Sequence, residues 1–204
     1  MARSDETSLE HGERIFREAG GTLRTKQALE AGVHPRTIYA LRDAGRLERR
    51  ARGVYRLARA EPSSNPDFLT VAVKVPAGVV CLISALAFHQ ITTQIPHQVE
   101  IALPRGAWAP RLEHPPIRVY HFSEKAMAEG VEKHDLGGVT VRVFSPEKTL
   151  ADCFKFRNKI GVDIALEALR MYWRRGRADV PAILRFAEVD RVSAVMRPYL
   201  EAML

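Results

Sequence analysis

Apolar positions in the first part of the chain change rhythm once. Leu9, Ile15, Phe16 and Ala19 recur at helical spacing and stop at Gly20-Gly21, which predicts a helix over residues 8–19. A second helix is predicted over 25–31, with Thr25 as its cap and Ala28, Leu29 and Val33 turned inward. Gly32 stands just past its end, where a left-handed backbone favours a residue without Cβ. Pro35 opens a third helix, 35–44, that Gly45 ends. Helix, short glycine-containing turn, helix is the pattern of a helix-turn-helix. The rhythm then switches: Leu47 starts a strand, "RARG" turns, and "VYRL" returns with Val54 and Leu57 apolar. Such a hairpin after the third helix is a wing, so residues 8–58 read as a winged helix-turn-helix.

Beyond it, "ARAEPSSNPD" (58–67) has the Pro, Ser and Asn content of a linker. "PDFLTVAVKV" carries apolar residues at 68, 69, 72 and 73 in helical spacing, while its β-branched residues also permit a strand. A helix is predicted around 84–89. "QVEIALP", "IRVYHF" and "VTVRVFS" read as strands, and Gly137-Gly138 as the turn of a hairpin. Ser145-Pro146-Glu147 caps a helix over 146–157. Val162, Leu166, Leu169 and Trp173 mark another, and two more fit 180–187 and 193–203. The expected fold class is α+β: an N-terminal winged helix-turn-helix domain, 1–60, and a C-terminal mixed α/β domain ending in helices, 61–204.

Charge sharpens this picture. The 204-residue chain has a formal net charge of +7, and residues 24–59 alone hold 10 Lys/Arg against 3 Asp/Glu. A basic domain followed by a nearly neutral one implies a polyanion partner for the first. On the third helix Ile38, Leu41 and Gly45 should face inward, leaving Arg36 and Tyr39 outward, Thr37 on the flank, and Arg42 further along. The first turn of such a helix meets base edges, so Arg36 is placed to pair with a guanine. Thr37 or Tyr39 is placed for a phosphate or a thymine methyl, and His34 lies just before the helix. Asp43 would repel phosphates and confine insertion to the first two turns. Arg49, Arg50 and Arg52 flank the wing turn at Gly53 as phosphate or minor-groove contacts.

Other chemistry finds little support. The seven histidines show no zinc spacing with Cys81 or Cys153, and both cysteines read as buried thiols of a reducing compartment. No phosphate-loop, dinucleotide or nucleophile-elbow motif occurs. Ser84 reads as a helix-start residue. A metal nuclease would want a lysine two residues after Glu100, where Ala102 stands. No catalytic residue, metal or cofactor is expected. Lys148 and Asp152, at i and i+4, read as a surface pair. Lys155, Arg157, Lys159, Arg174, Arg175 and Arg177 form a second basic area, either a solvated face or an auxiliary partner or DNA surface. No run of 18 apolar residues and no signal-peptide segment is present, so a cytoplasmic protein without a membrane span is expected.

Taken in order, "RLERRARGVYRL", "CLISALAFHQI" and "GVTVRVFSPEKTLADCFKFRNKIGVDIALEALR" resemble the AbiEi antitoxins of abortive-infection type IV toxin–antitoxin systems. The resemblance runs over nearly the whole chain. It implies a winged domain that represses its own operon by binding double-stranded DNA at its promoter, and a C-terminal domain that counteracts a nucleotidyltransferase-like toxin. By the same resemblance, DNA contact falls to Arg36, Thr37, Tyr39, Arg49, Arg50 and Arg52, and no catalytic residue is carried over. The alternative reading is a stand-alone transcriptional regulator with a ligand-sensing or dimerisation domain. A neighbouring toxin gene would decide between the two.

Overall fold

The computed structural model describes residues 2–58, 65–136, 139–176 and 178–203, with side chains described in all of these except residues 2–7 and 51. The chain is mixed α+β and divides into two compact units, 1–76 with 134–141, and 77–133 with 142–204. The first unit thus runs beyond the compositional break at 60/61.

Its elements are α1 (Ala2–Glu18), β1 (Thr22–Arg24), α2 (Thr25–Glu30), α3 (Pro35–Asp43), β2 (Leu47–Ala51), β3 (Val54–Leu57) and α4 (Pro66–Lys74). The first helix starts earlier than residue 8, and β1, too short for a periodicity signal, joins an antiparallel sheet of order β1-β3-β2. Both α2 and α3 close with the same backbone motif. Gly32 N–H donates to Leu29 O (3.0 Å) and Val33 N–H to Ala28 O (2.8 Å). Gly45 N–H donates to Arg42 O (2.9 Å) and Arg46 N–H to Leu41 O (2.8 Å). Both glycines hold positive φ, +90° and +67°, which this cap requires. Thr25 is not a cap but the first helical residue; Arg24 precedes it and donates its N–H to Gln27 Oε1 (2.9 Å). Phe16, Leu23, Ala28, Val33, Ile38, Leu41, Leu47, Tyr55 and Leu57 share one core. The 66–74 segment is a helix: Phe68, Leu69, Val71 and Val73 are buried along it.

The second unit's elements, with the end of β7 and the start of β8 falling in the 134–141 segment of the first, are β4 (Val79–Val80), α5 (Leu82–Phe88), β5 (Val99–Pro104), β6 (Ile117–Phe122), α6 (Glu124–Ala128), β7 (Val131–Asp135), β8 (Thr140–Phe144), α7 (Pro146–Lys155), α8 (Arg157–Ile160), α9 (Val162–Trp173), α10 (Val180–Asp190) and α11 (Ser193–Glu201). The strands form a mixed sheet of order β6-β5-β4-β8-β7, with β5 antiparallel to β4 and parallel to β6. The predicted glycine turn at 137–138 lies outside the described residues, and Leu136 N–H donates to Val139 O (3.0 Å) across it. Ser84 lies in the first turn of α5, fully buried, its hydroxyl donating to Gln98 O and accepting the Glu100 N–H. On α9 the core face is Ala165, Ala168, Leu169 and Tyr172; Val162 is exposed, so the apolar stripe drawn through Val162 and Trp173 is rotated from the true one.

The largest departure concerns Lys148 and Asp152, which are not a surface pair: both are fully buried. Lys148 Nζ donates to Asp152 and, at 3.0 Å, to Asp190 of α10, and lies 4.9 Å from the Phe144 ring centre. Lys155 Nζ closes the cluster on Asp190 at 2.8 Å. Burial pushes the Asp152 carboxyl well above the usual range. Asp190 goes below it, because hydrogen bonding with Asp152 and the two ammonium groups outweigh its burial. Asp152 Oδ2 has no hydrogen-bond partner among the described residues. Through Lys148 and Lys155 of α7 and Asp190 of α10, the cluster ties the two helices together.

Candidate nucleic-acid interface

His34 is the N-cap of α3: its Nδ1 accepts the Arg36 N–H at 3.2 Å, and Pro35 follows at the first helical position. An accepting Nδ1 leaves Nε2 as the N–H of the neutral ring, a donor facing solvent from an exposed side chain. His34→Ala is expected to cost the first unit about 1 kcal/mol, and His34→Asn little, in paired thermal melts.

Ile38 and Leu41 are buried, as the sequence implies, and Arg36 and Tyr39 are exposed on the opposite side, Tyr39 at 47%. Thr37 is half-buried and turned toward α1; a Cβ at Gly12 would stand 2.9 Å from its Cγ2. Arg42 lies over the Tyr39 ring, 5.3 Å from its centre, and is gripped by Asp43: Nε to Oδ1 is 2.8 Å and Nη2 to Oδ1 is 2.7 Å. The hydrogen bond to Asp43 raises the guanidinium's affinity for its proton above the ordinary value. Sequence reading treated Asp43 as a bare negative charge and missed this contact, since adjacent helical residues ordinarily point about 100° apart.

The β2–β3 hairpin presents Arg49, Arg50 and Arg52, all exposed. Arg49 pairs with Tyr55 and Ala51 with Val54, so Arg50 is the extra residue of a bulge, a feature that re-aims side chains. Arg50 meets Glu48 at 3.4 Å, whereas Arg49 and Arg52 form no ion pair among the described residues. The hairpin turn is tied down: Thr25 N–H donates to Gly53 O at 2.9 Å. Nothing local in the sequence announces that bond. The structure thus places α3 and the hairpin, with their arginines, on one small unit.

Elsewhere the chemistry is structural. Glu100 Oε2 accepts the Ile83 N–H at 2.7 Å, and Oε1 accepts the Tyr120 hydroxyl at 3.0 Å, so the buried carboxylate caps α5, whose N-cap Cys81 makes no side-chain cap. Burial raises its pKa. Much of the second basic area is engaged inside the fold. Lys155 binds Asp190, Arg157 donates to Phe154 O, and Arg175 donates to the carbonyls of His89 and Gln90. Arg177 lies outside the described residues. Cys81 and Cys153 are buried free thiols, and burial pushes both pKa values up. Among the described residues no cluster of three or more His, Cys, Asp or Glu is arranged to hold a metal ion, and no helix is long and apolar enough to cross a membrane.

Comparison with known proteins agrees with the first unit's chemistry. Residues 13–58 match the family model described as transcriptional regulator, AbiEi antitoxin. Among solved structures, the RV2827C protein from Mycobacterium tuberculosis is similar with a TM-score of 0.54 at 15% identity, over 96% of this chain and 81% of that one. At that identity the likeness is one of fold. No curated protein matches the chain.

Proposed function

We propose, for a chain whose residues 13–58 match AbiEi antitoxin regulators, that the first unit is a winged helix-turn-helix repressing its own promoter. The observation that carries this reading is the pairing, in one unit, of a helix with an exposed polar face and a basic hairpin. Helix α3 enters the major groove, where Arg36 and Tyr39 meet bases from its first two turns. His34 Nε2 donates to a backbone phosphate, and Thr37 supports the helix from its flank. Arg49, Arg50 and Arg52 neutralise phosphates or enter the adjoining minor groove. The second unit, in this reading, counters a nucleotidyltransferase-like toxin encoded alongside, and the protein works in the cytoplasm without catalysis or cofactor.

Two cell assays test the two halves. A reporter driven by the chain's own upstream DNA should be repressed by the full chain and released when residues 1–58 are deleted. The deleted form should still rescue growth of cells expressing the neighbouring toxin. Unchanged reporter output with the full chain would refute repression; failure of the full chain to rescue would leave a stand-alone regulator.

A further inference from the structure

Arg42 is badly placed by helix geometry alone. At 100° per residue, Ile38 and Leu41 define the buried direction, and Arg42 leaves the helix only about 70° from it, while Asp43 leaves about 170° from it. Two contacts carry the guanidinium toward the outward face: the Tyr39 ring beneath it and the Asp43 carboxylate beside it. Asp43 occupies one edge of the guanidinium, the Nε and the inner Nη2 hydrogen. The end of the group, formed by Nη1 and the outer Nη2 hydrogen, is left as a two-pronged donor. Two parallel donors of that kind match the O6 and N7 acceptors of guanine in the major groove, and no other base presents two acceptors there. Arg36, by contrast, forms no ion pair among the described residues, and must be ordered at the moment of binding.

We infer that Arg42, held by Asp43 and Tyr39, is a pre-set guanine-reading site at the far end of α3. The inference rests on the DNA-binding reading and corrects one expectation within it. Asp43 does not confine α3 to shallow insertion, because its charge is matched by Arg42 before DNA arrives. Asp43 is a positioning residue, and Arg42 and Tyr39 complete the site. An isolated carboxylate facing phosphates would only repel; one locked to an arginine repels little and fixes a direction.

The test is enrichment from a pool of random-sequence 20-base-pair duplexes by the purified full chain, with each variant checked for an unchanged melting temperature. Wild type should enrich a motif containing a guanine that Arg42→Ala, Arg42→Lys and Asp43→Ala all lose at the same position, each by roughly tenfold or more in relative preference. Tyr39→Phe should keep it. Arg42→Lys retains the charge but not the fork, so its salt dependence should match wild type. If Asp43→Ala instead binds every sequence more tightly with the guanine preference intact, Asp43 is merely a repulsive charge and the inference is wrong. If Arg42→Ala leaves the motif unaltered, it is equally wrong. Should wild type enrich no motif while the pool is retained in low salt, specific readout as a whole fails; should it retain no DNA at all, the DNA-binding reading falls first.

Discussion

Lys148→Met should destabilise the second unit by about 3–5 kcal/mol, a large share of the roughly 5–15 kcal/mol that holds a domain together. The substitution fits the space but removes the central cation from the cluster, leaving Asp190 with Lys155 alone and the fully buried Asp152 without a cation. Asp190→Asn should cost nearly as much, because Lys148 and Lys155 lose the carboxylate that is ionised between them. Asp152→Asn should cost less, because burial already pushes the Asp152 carboxyl toward its neutral form and an amide oxygen can still accept from Lys148. The pH dependence follows in sign. Asp190 has a lowered pKa, so its contribution is complete above the ordinary carboxylate range and fades as pH falls through its folded value. The gap between wild type and Asp190→Asn should therefore narrow below about pH 4. Asp152, with a raised pKa, acts the other way: its contribution is complete below the ordinary range and is lost as pH rises through the raised value. Denaturant melts of the three variants across pH measure all of this. Equal costs for Asp152→Asn and Asp190→Asn would contradict this ranking.

The second large effect is on DNA. Replacing Arg49, Arg50 and Arg52 together by Ala should weaken binding to all duplexes by about a hundredfold near physiological salt. The dependence of log affinity on log salt should become shallower by roughly 2 to 3 units, because each arginine that neutralises a phosphate releases condensed counterions. Fold stability should barely move, since all three side chains are exposed. Arg50, already paired with Glu48, should contribute least of the three when they are replaced singly. A triple variant with wild-type affinity and slope would remove the hairpin from the interface.

Legibility in the sequence followed the range of the interactions involved. Gly32, Pro35 and Gly45 punctuate α2 and α3 through backbone conformations that belong to single residues, so the turn between the helices was readable. The β2–β3 hairpin was readable for the same reason, from Gly53 and the alternation around it. Strand β1 was not: three residues become a strand only because β3, some thirty positions on, pairs with them. The 66–74 segment gave two signals at once, and burial of Phe68, Leu69, Val71 and Val73 on a helix settles it. Lys148 and Asp152 looked like any exposed i, i+4 pair. What makes them a buried pair is Asp190, on a helix distant in sequence. At the candidate interface, exposure of the arginines was legible but their constraints were not: the Asp43 grip on Arg42, the bulge at Arg50 and the Thr25–Gly53 bond are all absent from local pattern.

The measurement that bears most directly on the central proposal is a fluorescence-anisotropy titration of the full chain against two duplexes of equal length. One is the DNA upstream of its own coding sequence, the other its scrambled counterpart, each at several salt concentrations. The native duplex is expected to bind at least a thousandfold more tightly at about 0.15 M salt, with both affinities falling steeply as salt rises. Equal affinities for the two duplexes, or binding that does not respond to salt, would contradict it.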